Sequence, residues 1–579
     1  MLRNGDGIYY VGSDSVKIPY GISNFKRLRE EGYLYVDKTM FIEKIEKLNS
    51  NYLFFIRPRR FGKSLFLSTL ENYYDINAVD DFNELFGDLY IGKNPTNQKN
   101  KYMIFRLNFS GLNTSNKDSL EESFKLRLLN SAEDFFNKYK NIFGEIDGVI
   151  DRIKNIGDIS SIFITVVNQV KNVDGRIYLI IDEYDHFAND IIAMGESQLY
   201  KEIIRASGFV RDFYETVKIG TESVVERIFI TGISPIMLDD LTSGFNIALN
   251  ITMDVNMNEM LGFTESEVNG IIEKLGIERK DIMINLREYY NGYLFNEFST
   301  ERVYNPDMVL YFLDQFIRFN QRPRYLIDDN VKMDYGRLNR LSMNIENQRI
   351  LKNIVENEGI TSDVVTRFSF DRMYDQEYFV SLLFYMGLLT IDRKEKSRLI
   401  LKIPNYVIKT VYWEYVVNSI KREYNIVLDT ESLRIAIEEM AYNGDIMPYI
   451  DYIRDNVLKA LSNRDMIDFN EKYIKVILFS YLVLSGLYRP VSEREVENRY
   501  IDICFERDIR ATDVKYEWLI ELKYVKEKDR SRLEAIKQEG LRQLAKYVDS
   551  KGFKERKDVK AALVVFIGKG EYMYFENPL

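Results

Sequence analysis

Four short apolar runs punctuate the first 255 positions, at Tyr52–Ile56, 103–108, 177–181 and 228–231, and long stretches of helical period separate them. Runs this short, without polar alternation, predict strands buried on both faces; alternating with helices, they predict a mostly parallel α/β sheet. Beyond Leu261-Gly262-Phe263-Thr264, which reads as a capped helix start, the pattern turns predominantly helical to about 460, with Tyr290-Asn291-Gly292-Tyr293 and Tyr304-Asn305-Pro306 as turn markers. A third pattern starts near 465. There 471–487 suits a buried helix, 493–505 and 517–524 paired strands, 533–547 a helix, and 561–567 a final apolar strand. The expected division is therefore 1–260, 261–464 and 465–579, with no internal repeat.

The first apolar run delivers RPRRFGKS at 57–64, followed by the helix-like LFLSTLENYY. A strand, a tight loop and a helix N-terminus form an anion cradle, because backbone N–H groups and the helix dipole converge on the same phosphate. In that frame Gly62 permits close backbone approach, Lys63 reaches the terminal phosphates, and the Ser64 hydroxyl ligands a magnesium ion bridging them. Arg59 and Arg60 could touch phosphate or a neighbouring subunit's nucleotide, which leaves a homo-oligomer open, or be solvated loop charges. The pattern departs from the usual one in its first position, Arg57 standing where Gly is expected. A basic turn before an amphipathic helix is the competing reading.

The ends of two later runs narrow the choice. The run at 177–181 stops at Asp182-Glu183, and nucleotide hydrolysis needs one carboxylate for the metal and a neighbour to orient and deprotonate water. Asp182 is assigned the first role and Glu183 the second. The run at 228–230 continues into Thr231-Gly232-Ile233-Ser234, which predicts Thr231 beside the γ-phosphate. Asp185 and His186, just past the strand end, are expected near the same site, His186 as a packing or hydrogen-bonding residue.

Composition limits the chemistry. A chain of 579 residues exceeds one core, and 46% hydrophobic with 14% aromatic residues marks it as globular. With one cysteine (Cys504) and one histidine (His186), an internal disulfide, a cysteine cluster and a histidine-ligated zinc site are excluded, so metal chemistry falls to oxygen ligands and to Mg2+ or Mn2+. The N-terminal stretch lacks an apolar signal core, and the longest apolar run, 476–487, is shorter than the ~20 residues a membrane helix needs. A soluble cytoplasmic protein without a membrane partner is the expectation. Net charge is −10, yet 521–560 holds 13 Lys/Arg against 8 Asp/Glu, a local excess of 5 basic residues.

That basic segment contains a second carboxylate group. Asp502 lies in YIDICF and Glu521 and Lys523 in WLIELKY; if the two strands pair through the loop at 507–515, Asp502 and Glu521 converge, and Glu521 and Lys523 share a face. Two carboxylates and a lysine can hold a divalent metal, position a water and offset developing charge, the minimum for phosphodiester hydrolysis. Gln543 and Tyr547, at i and i+4 of the next helix, face one side together, and Glu471 on the preceding helix could add a carboxylate. Alternating charges on a surface strand are the competing reading.

With these residues assembled, the chain resembles a two-part family. IPYGISNF, YVDKT, RPRRFGKSLFLSTL, IIDEYDHF, FITGISP, LGFTESEV and YNGY, across about 17–310, resemble the AAA-ATPase-like proteins of prokaryotes and their mobile elements, which commonly carry Arg in place of the first loop Gly. FNEKY, ENRYIDI, IELKY and the QLAKY helix, over about 465–579, resemble the PD-(D/E)XK nuclease-like domain that accompanies this ATPase. The resemblance implies a P-loop NTPase fold, a helical middle region and a C-terminal α/β restriction-endonuclease-like domain. It places Asp502, Glu521 and Lys523 in the nuclease motif, with Gln543 and Tyr547 at positions seen in RecB-like branches. Its implied chemistry is ATP hydrolysis coupled to magnesium-dependent cleavage of nucleic acid, DNA ahead of RNA, in genome defence or mobile-element maintenance. The alternatives are a regulatory ATP switch whose C-terminal domain binds DNA without cutting, and an ATP-gated protein-interaction scaffold.

Overall fold

The computed structural model describes residues 2–3, 9–10, 16–194, 196–204, 208–237, 245–277, 280–328, 332, 345–368, 372, 375–461, 469–496, 499–548, 556 and 558–577. They form two compact units. The first comprises Met1–Gln321, Leu326–Leu351 and Gly359–Asn405; the second comprises Arg322–Tyr325, Lys352–Glu358 and Tyr406–Leu579. The expected boundary at 464/465 lies at 462–468, outside the described residues.

After a two-residue antiparallel pair, β1 (Leu2–Arg3) and β2 (Tyr9–Tyr10), the first unit is built on β3 (Tyr52–Ile56), β4 (Met103–Asn108), β5 (Ile177–Asp182), β6 (Val225–Gly232) and β7 (Leu249–Asn250), in the order β4-β5-β6-β3-β7. Each adjacent pair is parallel, so the strands' carboxyl ends share one edge, where open α/β sheets bind ligands. β5 is buried at all six positions and β3 at four of five, as unalternated apolar runs require. Among the helices are α1 (Lys63–Tyr74), α2 (Lys117–Lys138), α3 (Ile159–Asn172) and α4 (Phe209–Gly220). α2 and α3 start on capping side chains, Asn116 accepting from the Ser119 N–H and Asp158 from that of Ser161. α1 has no such cap: Gly62 stands there at φ 91°, and the first N–H groups of α1 have no capping side chain.

The region after 261 is helical, including α5 (Glu265–Lys274), which begins with a Thr264/Glu267 capping box, and α6 (Pro306–Phe319), capped by Asn305. It also holds a small antiparallel sheet, β8 (Gly359–Thr361), β9 (Thr390–Glu395) and β10 (Arg398–Lys402), in the order β8-β10-β9. The helical reading missed it because strands this short give too few alternating positions to stand out.

In the second unit α7 (Glu471–Leu482) precedes β11 (Tyr488–Val496), β12 (Arg499–Arg507) and β13 (Glu517–Val525), followed by α8 (Leu533–Val548), β14 (Val559–Ile567) and β15 (Glu571–Asn577). The sheet runs β11-β12-β13-β14-β15, with β13 and β14 parallel across the α8 crossover and the other pairs antiparallel. Two expectations are corrected. The stretch 493–505 is the end of β11 and most of β12, two strands of a hairpin, and 561–567 is not final, because β15 follows and covers its edge. Both misreadings share a cause: β11 and β15 are edge strands rich in polar residues, and a periodicity argument sees buried strands best. No described helix is long and apolar enough to cross a membrane.

Candidate nucleotide and nuclease sites

At the carboxyl edge of the parallel sheet, a cavity of about 600 Å3 is lined by Arg59, Arg60, Gly62, Lys63 and Ser64 on one side and Glu183 and His186 on another. Pro19, Ile22, Leu261, Phe263 and Leu310 supply an apolar wall. Lys63 Nζ donates to the carbonyls of Arg57 and Pro58, both at 2.9 Å, and burial pushes its pKa down to about 8. The ammonium is thus held inside the loop by two neutral acceptors. Ser64 Oγ donates to Asp182 Oδ2 at 2.8 Å, joining α1 to the end of β5, while Arg106 from β4 approaches the same oxygen at 3.8 Å. Asp182 is fully buried.

Glu183 turns out of β5 with φ 49°, a left-handed conformation that directs the chain away from the strand line. Burial raises its carboxyl pKa above the usual range, opposed by His186, whose Nε2 lies 3.9 Å from Glu183 Oε2. His186 Nδ1 is also 3.3 Å from Asp190. Arg59 is half-buried and Arg60 exposed, with φ 66°.

β6 lies between β3 and β5, with Phe55 in register with Thr231 and Ile181 with Ile230. Thr231 therefore sits between the phosphate loop and Asp182, buried, with its hydroxyl unbonded among the described residues; the neighbouring Ile233 lines the cavity. Asp185 does not face that cavity. It is fully buried and accepts hydrogen bonds from the Ile233 and Ser234 amides, at 3.1 and 2.7 Å, from Ser234 Oγ and from Asn189. The Tyr184 hydroxyl adds bonds to the carbonyls of Ser234 and Ile236. The two motifs IIDEYDHF and FITGISP are thus clamped together.

The clamp leaves no room for a side chain at Gly232: a Cβ there would lie 2.2 Å from Asp185 Oδ1 and 2.6 Å from the Tyr184 ring. Gly232→Ala is expected to displace the loop and lower the melting temperature by about a few degrees. Scanning calorimetry checks this, and an unchanged melting temperature would contradict it.

Arg57, the departure from the loop pattern, points away from the phosphate site. Its guanidinium donates to the carbonyls of Ile56, Thr252 and Met257 and lies between the rings of Phe55 and Phe295, at 4.2 and 4.1 Å. A buried cation without a carboxylate partner is held here by carbonyl dipoles and aromatic faces. Sequence reasoning also missed Arg106, although a lone charge inside MIFRLN was the available signal.

In the second unit, Ile503 pairs with Ile520 and Cys504 with Leu519, a register that sets Asp502 opposite Glu521. Lys523 Nζ lies 2.6 Å from Glu521 Oε1 and 3.6 Å from Asp502 Oδ2. Both oxygens of Glu521 and Oδ2 of Asp502 are buried, although the Asp502 side chain as a whole is half-buried, and Lys523 is the cation that faces them. Burial, then the Asp502 charge, hold the Glu521 carboxyl well above the usual carboxylate range. Glu471, in the first turn of α7, is raised by burial and feels Lys523 and Asp502. On α8, Tyr547 is pushed up to about 12 by burial and by the Glu521 and Asp502 charges, while Gln543 Oε1 is buried without a partner among the described residues. α8 comes this close because Gly540 faces β14, where a Cβ would lie 2.5 Å from Leu563 Cδ1.

Two carboxylates that share one lysine carry more negative charge than that cation offsets, so the Asp502–Glu521 pair fits a divalent ion as a donor set. Among the described residues, no group of three or more His, Cys, Asp or Glu side chains is arranged to hold a metal. Any further ligands must therefore come from water, backbone or substrate.

Residues 19–242 match the family model described as Predicted AAA-ATPase, and residues 469–575 match that of the PD-(D/E)XK nuclease superfamily. A curated protein of Azotobacter chroococcum mcd 1, described as "Uncharacterized protein in vnfD 5'region", is 27% identical over 321 residues, which are 54% of this chain and 55% of that protein. This chain thus spans about half the length of that relative. Among solved structures, the Walker-type ATPase paby2304 of Pyrococcus abyssi aligns at 13% identity and TM-score 0.38, covering 69% of this chain and 98% of that one. The ORC2 protein of Aeropyrum pernix, in ADPNP–ADP complexes, aligns at 12% identity and TM-score 0.26, covering 67% and 97%. The chain combines an AAA-ATPase-like domain with a C-terminal domain of the PD-(D/E)XK nuclease superfamily.

Proposed function

We propose that this chain binds and hydrolyses ATP at the first cavity and uses the Asp502–Glu521–Lys523 centre to cut nucleic acid, DNA ahead of RNA. The nuclease half rests chiefly on one observation: two facing carboxylates, Glu521 buried and Asp502 half-buried, with Lys523 as their nearby counter-charge. Ser64 and Asp182 would hold magnesium at the ATP site, and Asp502 and Glu521 magnesium or manganese at the nuclease site. When bound, such an ion supplies Lewis acidity and acidifies coordinated water.

The chain's own residues carry the rest. Lys63 exchanges its two carbonyl partners for phosphate oxygens, and the exposed N–H groups of α1 hold the same anion. Glu183 orients the attacking water and takes its proton, while Thr231 offers its unbonded hydroxyl to the γ-phosphate. In the second unit Lys523 Nζ orients water and offsets the charge that develops on the phosphate. Cleavage of labelled DNA and RNA with magnesium or manganese, with and without ATP, tests the whole reading. If wild type cuts neither, the function is an ATP switch whose C-terminal domain binds without cutting.

Metal occupancy has its own readout. Manganese is expected to raise the melting temperature of the wild type by about a few degrees, and Asp502→Ala is expected to remove most of the shift assigned to the second unit. A shift unaltered in Asp502→Ala would place that metal elsewhere.

A further inference from the structure

A groove of about 490 Å3 lies at the C-terminal end of β13, between the start of α7 and the segment leading into α8. It is lined by Glu471, Tyr524, Lys526, Asp529, Arg532 and Ile536, and it falls within the size range of ligand pockets. Glu471 lines this groove and its carboxyl feels the charges of Lys523 and Asp502, so the groove lies near the carboxylate centre. Tyr524 directly follows Lys523 on β13. Its half-buried ring is braced edge-on by the buried Phe469, with centroids 5.2 Å apart. Arg532 is exposed and, among the described residues, makes no hydrogen bond or ion pair.

We infer that this groove is a subsite for one unpaired nucleotide beside the bond that the Asp502–Glu521–Lys523 centre acts on. The inference rests on the nuclease reading above and narrows its substrate to single-stranded or frayed ends. A fixed aromatic ring stacks a base of any sequence, and a guanidinium with no protein partner takes a phosphate oxygen. Ile536 supplies an apolar patch. A nucleotide inside a duplex is stacked on both faces and paired at its edge, so it cannot enter a concavity of this size without being flipped out. The groove lies at the end of the strand that carries Glu521 and Lys523, so a nucleic-acid strand seated here has its next phosphate near that centre.

The test uses the full chain in the Asp502→Ala background, so that probes stay uncut, with fluorescent oligodeoxyuridylate, oligouridylate and a blunt duplex. Single strands are expected to bind about tenfold tighter than the duplex, and Arg532→Glu or Tyr524→Ala to remove most of that difference without altering the circular dichroism spectrum. The tighter of the two single strands identifies the sugar. Equal affinity for single and double strands, or an Arg532→Glu protein that binds like its parent, overturns the subsite. If otherwise wild-type protein cuts single strands and Arg532→Glu cuts them with unchanged KM, the subsite fails and the nuclease stands. If wild type never cuts but single-strand binding depends on Arg532, the nuclease reading fails and the groove stands as a binding site.

Discussion

Lys63→Ala is expected to weaken ATP binding by at least about a hundredfold and to abolish hydrolysis. Two carbonyls hold the ammonium at 2.9 Å inside a buried loop, and burial already lowers its pKa to about 8, so it is a cation short of negative partners. Triphosphate oxygens supply those partners, which makes the exchange favourable beyond the loss of two neutral hydrogen bonds. Alanine leaves the phosphates facing Asp182 and Glu183 with no lysine between them, so the like-charge cost appears in full. Glu183→Gln should separate binding from chemistry: affinity stays within about threefold, while turnover falls by about a hundredfold or more, because the amide cannot take a proton from water. Titration with a fluorescent ATP analogue and a phosphate-release assay read the two effects. Unchanged affinity in Lys63→Ala would remove the phosphate-loop assignment itself.

Much of this was legible in the chain because the relevant signals are local. β3 and β5 are unalternated apolar runs ending in charged motifs, and such runs become strands buried on both faces whose ends carry the chemistry. The AAA-ATPase-like and PD-(D/E)XK likenesses also rested on contiguous motifs; the ATPase model matches over 19–242, which stops short of LGFTESEV and YNGY, and the nuclease model over 469–575. What escaped the reading depends on where a side chain turns. Nothing in RPRRFGKS tells that Arg57 leaves the loop for three carbonyls and two rings while Arg59 and Arg60 stay at the cavity. Asp185 stands two residues from Glu183, yet the left-handed turn at Glu183 sends it to the 233–234 amides and away from the phosphate side. The break between β11 and β12 was missed because both flanks are strand-like and only their antiparallel pairing separates them. Lys523's proximity to both carboxylates was foreseeable from strand pairing; the full burial of Glu521 was not, since burial is a property of the whole second unit.

Asp502→Ala and Glu521→Ala are each expected to lower cleavage by about a thousandfold or more, with nucleic-acid binding retained within about tenfold. Each carboxylate provides half of a donor pair that shares a single lysine, so losing one both weakens metal binding and leaves Lys523 paired with the survivor alone. Lys523→Ala should cut less deeply in binding than in turnover: the buried pair keeps its oxygens but loses the cation that offsets charge in the transition state. A neutral stand-in sharpens this, because Glu521→Gln keeps the volume and removes the charge. If the carboxylate works only through packing, Gln restores cleavage; if it works as a metal ligand, Gln is nearly as inactive as Ala. The comparison also bears on coupling. Glu183→Gln leaves every nuclease residue in place, so any change it causes in cutting at saturating ATP measures how far hydrolysis in the first unit governs the second. Equal cutting with and without ATP, in wild type and Glu183→Gln alike, would mean the two activities share a chain without controlling one another.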